Sequence, residues 1–384
     1  MSRVRMGMVG GGPGAFIGAI HRCAAALDGE IELVCGAFSR DIGRSRQTGE
    51  ALGLSAERIY DDYVSMIETE AALPASDRME FVAIVTPNKM HFPVADMALR
   101  NAFHVFCEKP ATFDLDEALK LRKAVLDSGC RFGLAHTYIG YPMVQEARAR
   151  VAAGELGEVT RVLVEYTQGW LSSAAVAGKE EPSWRLDPKQ AGASSAMGDI
   201  GVHASNIAEF VTGLGIVSVL ADLGAVVPGR ELDDDGTVLL RFSNGARGVL
   251  VASQICTGEA NNLSLRVYGT QGGLEWQQQE PNTVVLKFVD RPDQVIRTGD
   301  PFVGAGAQAF TRTPAGHPEG YIEAFANLYR AFASDVRQTG NRPAWRGQVH
   351  VPGIDEAVRG MAFIESVVAS SRDQSVWRTM GEAV

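Results

Sequence analysis

A lysine where an apolar strand stops is chemically conspicuous, and Glu108-Lys109-Pro110 puts one directly after the run His104-Val-Phe-Cys107. Earlier in the chain, Gly10-Gly11-Gly12-Pro13-Gly14 closes another short apolar run. Glycines at a strand end let the backbone turn tightly and approach a phosphate held at the next helix N-terminus. Later, Gly198-Asp199-Ile-Gly-Val-His203 spaces a carboxylate and an imidazole so that on a helical segment both project to one side. Lysine, histidine and aspartate in a chain with such a loop are groups that can move a hydroxyl proton while a hydride moves to or from carbon. The pattern points to redox chemistry at an alcohol or ketone.

Histidine, with a reference pKa of about 6.5, suits the role of base near neutral pH, so His203 is the candidate for it. Lys109 would hydrogen-bond the substrate oxygen; its reference pKa of about 10.4 must fall if it is to share the proton, as burial or a positive nicotinamide would make it do. Asp199 would orient the imidazole or hold a substrate hydroxyl. The plain structural readings are a strand-end surface lysine, a helix-capping aspartate and an interior histidine, and capping is compatible with catalysis. His136, Asp199 and His203 lack a close ligand pair such as H-x-x-x-H, so no metal dependence is expected.

Val4 to Val9, Phe16 to Leu27 and Ile31 to Phe38 read as strand, helix and strand. Phe81 to Val85, cut off by Thr86-Pro87-Asn88, and the runs His104 to Cys107 and Arg131 to Ala135 are continuously apolar, as strands of a parallel sheet covered on both faces are. Asp114-Leu-Asp-Glu117 has capping-box spacing ahead of a helix reaching Leu126. The class is α/β, an N-terminal doubly wound Rossmann sheet. After about residue 150 the pattern alternates, with Arg161 to Tyr166 as a strand and Thr237 to Phe242 joined to Ala246 to Ala252 across Ser243-Asn244-Gly245. Leu263 to Tyr268, Leu274 to Trp276 and Thr283 to Val289 continue an antiparallel sheet, and the helices Tyr321 to Thr339 and Ile354 to Ser371 are expected on one face of it.

A length of 384 residues exceeds what one core usually serves, so two domains are expected. A net charge of −10 without a basic cluster argues against nucleic acid or an anionic membrane as partner and for a small molecule. Five widely spaced cysteines form no C-x-x-C pair and read as buried free thiols. The N-terminus has no secretory pattern and no segment approaches a membrane span, which places the expected location in the cytoplasm.

Gly10-x-Gly12-x-x-Ala15 lies between a predicted strand and helix, the setting of a dinucleotide fingerprint, so NAD(P) is the expected cofactor. At the end of the second strand Ser39 does not repel a 2′-phosphate and Arg40 can pair with one, which favours NADP(H) over NAD(H), although Asp41 follows. The glycine loop, Thr86-Pro87-Asn88-x-x-His91, Glu108-Lys109-Pro110, the Trp184-Arg185 pair and Gly198-Asp199-Ile-Gly-Val-His203, in this order, resemble the glucose-fructose oxidoreductase, inositol dehydrogenase and rhizopine catabolism (Gfo/Idh/MocA) family. The resemblance covers nearly the whole chain. It implies a Rossmann domain at 1–136 and, at 137–384, a substrate-binding and oligomerisation α+β domain with a large open, mainly antiparallel sheet. It implies Lys109, Asp199 and His203 as the catalytic set. Gly10, Gly12, Pro13, Ala15, Phe16, Ser39, Arg40, Thr86, Pro87, Asn88, His91, Glu108 and Lys109 are the expected cofactor residues.

Flat aromatic side chains stack on sugar rings, so Tyr138, Trp170 and Trp184, with Tyr166 near them, join Arg185, His317, Lys109, Asp199 and His203 as candidate substrate contacts. Leu171 to Ser195 reads as a mobile lid. Against the family pattern, Asn206 stands where an aspartate often follows the histidine, and Ala193-Ser-Ser195 replaces a glycine-rich run. The implied activity is NAD(P)-dependent hydride transfer at a secondary hydroxyl of a sugar, glycoside or cyclitol, in a homodimer or homotetramer. Redox-neutral, NAD-dependent glycoside cleavage and non-catalytic ligand sensing are the alternatives.

Overall fold

The computed structural model describes residues 2–173, 184–338 and 350–381. The chain divides into two compact units, Met1–Ala135 with Phe325–Val358, and His136–Ala324 with Arg359–Val384.

The first unit is built on β1 (Val4–Gly10), β2 (Ile31–Ala37), β3 (Phe81–Val85), β4 (His104–Cys107) and β5 (Phe132–Leu134). They form one parallel sheet in the order β2-β1-β3-β4-β5. All five β3 residues are buried, as their uninterrupted apolar character requires of a strand covered on both faces. The strand order reverses between β1 and β3, where Gly10 pairs with Val85. A crevice at such a switch point, outside the carboxyl ends of the strands, is where open α/β sheets take ligands. Asp114 caps the helix Leu115–Ser128 by accepting the Glu117 N–H at 2.8 Å.

The helix Tyr321–Gln338 departs from the expected arrangement, since its residues from Phe325 onward belong to this unit and not to the antiparallel sheet. Its packing gives the reason. Phe325, Tyr329 and Phe332 recur at helical spacing, and Phe332 meets Phe81 and Phe106 with ring centroids 5.3 Å from each. Tyr329 lies over Phe106 at 4.4 Å. The aromatic stripe covers one face of β3 and β4, which a parallel sheet cannot leave to water. A division at residue 136 therefore gives only the first part of this unit.

The second unit holds β6 (Val159–Thr167), β7 (Ile216–Gly224), β8 (Asp235–Phe242), β9 (Arg247–Ser253), β10 (Asn262–Gly269), β11 (Gly272–Gln277), β12 (Thr283–Phe288), β13 (Gln294–Arg297) and β14 (Arg378–Thr379). Their order is β13-β12-β11-β10-β6-β9-β8-β7-β14. Only the pair β6 and β9 is parallel; the remaining neighbours are antiparallel. The β8–β9 hairpin turns at Gly245, whose φ of +89° suits glycine. Sequence periodicity misses β7 because a register shift between Ile216 and Ser218 breaks its alternation. On β6, Val162, Val164 and Tyr166 share the buried face, against which the helix Val202–Thr212 packs.

Cys35 and Cys107 are buried, Cys130 and Cys256 are partly so, and Cys23 is exposed, contrary to its expected burial. Among the described residues no helix is long and apolar enough to cross a membrane. Because Phe332 is 1% exposed and wedged between two rings, Phe332→Ala is expected to lower unfolding free energy by about 3–5 kcal/mol. Denaturant melts read by circular dichroism check this, and a loss below about 1 kcal/mol would contradict the covering role of the helix.

Candidate active site

In the first unit the glycine loop forms a cradle that side chains would fill. Gly10 has φ +88°, and a Cβ there would lie 2.7 Å from the Val85 carbonyl oxygen; one on Gly12 would lie 2.8 Å from the Phe38 oxygen. Gly18, which the sequence reading passed over, lets the first helix lie against Gly11, since its Cβ would come within 2.3 Å of the Gly11 Cα. That close helix-to-strand contact is the work of the third fingerprint glycine, so Ala15 is not the residue that makes it. Ala15 instead donates its N–H to the Gly12 carbonyl at 3.1 Å, while Pro13, Gly14, Ala15 and Phe16 are exposed. The helix Phe16–Leu27 starts with no side-chain cap and no acid in its first turn, which leaves its positive end for an anion. Thr86 Oγ1 is buried with no hydrogen-bond partner among the described residues. These features fit a dinucleotide.

Ser39 Oγ accepts the Asp41 N–H at 3.1 Å, and Arg40 is exposed. The Asp41 carboxylate caps the next helix by accepting the Arg44 N–H at 2.9 Å. Arg44 reaches the Pro13 carbonyl at 3.5 Å, which brings a second guanidinium to the loop.

Glu108 and His91 serve the interior more than an exposed face. His91 is fully buried, with Nδ1 2.7 Å from the Pro110 carbonyl and Nε2 2.9 Å from that of Thr86, so it braces one strand-end loop against the other. Burial pushes its pKa down, and the neutral ring can donate to one carbonyl at a time. Both ring nitrogens are thereby engaged, and in this structure His91 acts as a brace. Glu108 Oε1 lies 2.9 Å from His21 Nε2, and His21 Nδ1 lies 2.6 Å from the Tyr329 hydroxyl. Glu108 Oε2 accepts the Lys109 backbone N–H at 3.1 Å. Burial alone would raise the Glu108 carboxyl, but the His21 hydrogen bond and charge, with Lys109 and His91, hold it below its usual value. Lys109 itself is half-buried, and Asn88 is buried at the start of a short 3-10 turn after Pro87. His21 and Tyr329 were not legible as site residues.

In the second unit the candidate residues lie along one polar network. Tyr138 and Tyr166 join their hydroxyls; Tyr166 donates to Asn261 Oδ1 at 2.7 Å and Asn261 Nδ2 donates back to Tyr138 at 3.2 Å, which closes a ring. Gln168 Nε2 donates to Asn261 Oδ1 at 2.7 Å, and its Oε1 accepts from Trp170 Nε1 at 2.8 Å. Gln254 Nε2 bridges Gln168 Oε1 at 3.2 Å and Asp199 Oδ2 at 2.8 Å. The other Asp199 oxygen faces Arg185 Nε at 3.2 Å, and the Arg185 guanidinium lies over Trp184 at 4.6 Å and Trp170 at 6.0 Å. His203 packs edge-on against Tyr138 at 4.9 Å and His136 at 5.2 Å between centroids. Burial drives the Tyr166 phenol well above its usual pKa.

The sequence missed Gln168, Gln254 and Asn261. Each adjoins a strand end, after β6, after β9 and before β10, and the signal was that position alone. Asp199 and His203 do not share one α-helix: Met197–Gly201 is a π-helical turn and the α-helix begins at Val202. Asp233 holds that turn, accepting from Ser194 Oγ at 2.9 Å and from the Ser195 and Met197 N–H groups at 3.0 Å each. The serines that stand for the family's glycines thus anchor the Asp199 turn. His317 lies in an exposed turn with Nδ1 3.2 Å from its own Pro314 carbonyl, and no contact with the His203 group is seen among the described residues. Of the expected lid, residues 174–183 lie outside the described residues, while Leu171, Ser172, Ser194 and Ser195 are buried. Among the described residues no group of three or more His, Cys, Asp or Glu is placed to hold a metal ion.

The fold and cradle define an NAD-binding oxidoreductase, and residues 4–136 match the oxidoreductase family's NAD-binding Rossmann fold. Residues 144–275 match the GFO/IDH/MocA C-terminal domain, and the chain belongs to the Gfo/Idh/MocA family. It is 31% identical to the uncharacterized oxidoreductase YfiI of Bacillus subtilis over 97% of this chain and 96% of that one. Levoglucosan dehydrogenase of Pseudarthrobacter phenanthrenivorans is 25% identical over 96% and 98% of the two chains. An inositol dehydrogenase homolog from Azotobacter vinelandii, solved with NAD+, superposes with a TM-score of 0.93 at 35% identity, covering 98% of this chain and 97% of that one. The same homolog with NADH and myo-inositol gives 0.91 at 34% identity, covering 98% of each.

A carboxyl whose folded pKa is depressed contributes stability that is complete above its ordinary range, about 4.3, and is lost as pH falls through the lower folded value. Glu108→Gln is therefore expected to flatten the fall in melting temperature below about pH 4.5. Parallel melting curves in wild type and variant would refute the assignment of that acid sensitivity to Glu108.

Proposed function

We propose that the chain catalyses hydride transfer between a nicotinamide and a secondary alcohol or ketone of a polyhydroxylated ring, a sugar, glycoside or cyclitol. The observation that carries this reading is the network from Tyr138 to Arg185, in which phenols, amides, a carboxylate and a guanidinium alternate donors with acceptors beside Trp170 and Trp184. Its partly exposed members, Gln168, Trp170, Trp184, Arg185 and Asp199, suit a ring bearing a hydroxyl on nearly every carbon, with the buried Tyr138, Tyr166 and Gln254 holding them in place. The inositol dehydrogenase homolog and levoglucosan dehydrogenase support it by their named ligand and substrate.

When bound, the nicotinamide supplies a two-electron hydride acceptor or donor. In the proposed roles His203 takes the hydroxyl proton, Lys109 steadies the oxygen as it becomes a carbonyl, and Asp199 holds a neighbouring hydroxyl or balances charge. Gln254 Nε2 donates to one Asp199 carboxylate oxygen and Arg185 faces the other, which fixes the direction of that side chain. Gly10, Gly12, Pro13, Ala15, Phe16, Thr86, Pro87 and Asn88 would hold the dinucleotide. NADP(H) is preferred in this reading, because Asp41 is committed to a helix cap while Arg40 and Arg44 remain for a 2′-phosphate. Assembly as a homodimer or homotetramer through the open sheet is supported by Val217 and Leu239, exposed at 41% and 39% on adjacent strands.

A screen at 340 nm with NAD and NADP against inositols, sugars and glycosides tests the reading. Turnover of one polyol is expected, with Lys109→Ala reducing kcat by about 100-fold or more. Tightly held NAD with glycoside cleavage and no net reduction would replace it with the redox-neutral reaction. Arg40→Ala is expected to lower the kcat/KM ratio of NADP to NAD by about tenfold, as one charge-assisted phosphate contact is worth; an unchanged ratio would remove the NADP preference.

A further inference from the structure

The contact between His203 and His136 has no part in the roles assigned so far. Their Nδ1 atoms lie 3.2 Å apart, with the rings inclined at 78°. His136 is 1% exposed and His203 8%. Two ring nitrogens at this distance form a hydrogen bond only when one carries a proton and the other a lone pair. If His203 Nδ1 carries it, His203 Nε2 is the lone-pair nitrogen and can take a proton. If His136 Nδ1 carries it, neutral His203 keeps its proton on Nε2 and cannot act as a base there. Free neutral histidine prefers the Nε2–H form, so an unassisted ring would mostly be in the wrong state.

We propose that His136 is a positioning residue that accepts the His203 Nδ1–H and so selects the base-competent tautomer. The inference rests on the reading of His203 as the base. In the step it serves, the substrate O–H bond breaks and an N–H bond forms at His203 Nε2. The carbinol C–H pair leaves as hydride, so the carbon is oxidised and the nicotinamide reduced by the same two electrons. His203 then carries both ring protons and still donates to His136, which steadies the cation as an acceptor behind a catalytic histidine does. The arrangement fails if His136 itself becomes charged, because its Nδ1 then carries a proton and cannot accept from His203, and proton uptake by His203 would set two buried imidazolium rings side by side. Among the described residues Tyr138 and Tyr166 face His203, with Tyr321 against Tyr138, and Asp199 with its Arg185 sits on the turn that leads into the His203 helix. Farther along the His203 helix lie Glu209, paired with Arg359, and Arg148 over Phe210.

The test is ¹⁵N NMR of the full chain labelled at histidine, with His203 assigned by His203→Gln, alongside pH profiles of kcat/KM with myo-inositol as the probe polyol. Wild type is expected to show His203 protonated at Nδ1 and bare at Nε2. His136→Phe should return it to the Nε2–H form, move the acid limb to lower pH and cut kcat/KM by about tenfold or more. His136→Gln, whose amide oxygen can accept the same proton, should keep the wild-type tautomer and most of the rate. An Nε2–H form in the wild type, or an unchanged tautomer in a folded His136→Phe, would overturn the proposal while leaving His203 as base. Full activity in His203→Gln would instead remove the base assignment, and the inference with it.

Discussion

A carboxylate taken wholly or partly out of water must be given donors, and three such groups organise this protein. Glu108 is buried at the end of β4 and is answered by His21 and by the Lys109 backbone. Asp233 is partly buried against the π-helical turn and is answered by two backbone N–H groups and a serine. Asp199, partly exposed, is held between Gln254 and Arg185. For Glu108 and Asp233 meeting the demand fixes a stretch of backbone, and those two stretches carry Lys109 and Asp199, both proposed to act on substrate.

The β-sheet of the second unit explains why its polar groups converge. β6 and β9 run parallel with Thr167 opposite Ser253, and β10 runs against β6 with Asn262 opposite Thr167. Gln168, Gln254 and Asn261 are therefore neighbours by register, one residue beyond the ladder. Side chains at strand ends are freed from the alternation that elsewhere commits them to core or solvent. Gln254 shows what this permits: it is fully buried, with its Nε2 donating to two acceptors and its Oε1 without a partner among the described residues.

Much of the first unit was legible because its signals are local. The apolar runs, the Gly10 to Gly14 loop and the Asp114 cap each need only a few consecutive residues, and the parallel sheet follows from them. The hairpins at Gly245 and at Gly269 to Gly273 were legible for the same reason. What was not legible depends on contacts between distant positions. Nothing near His21 announces Glu108 or Tyr329, which lie 87 and 308 residues away. The spacing of Asp199 and His203 suggested a shared helical face, but a π turn depends on anchors such as Asp233 that periodicity does not display. The aromatic stripe of Tyr321–Gln338 declared a buried face without declaring which sheet would cover it.

That last helix makes the first unit discontinuous in the chain. During synthesis from the N-terminus, all five parallel strands leave the ribosome long before Phe325, Tyr329 and Phe332 do. Until then Phe81 and Phe106 have no aromatic partners from that helix, and the sheet is missing part of one cover. The nascent chain must carry that apolar face through synthesis of nearly the whole second unit, a period in which chaperone binding or misassociation competes with folding. The dinucleotide fold, first in sequence, is therefore among the last parts of this protein to be completed.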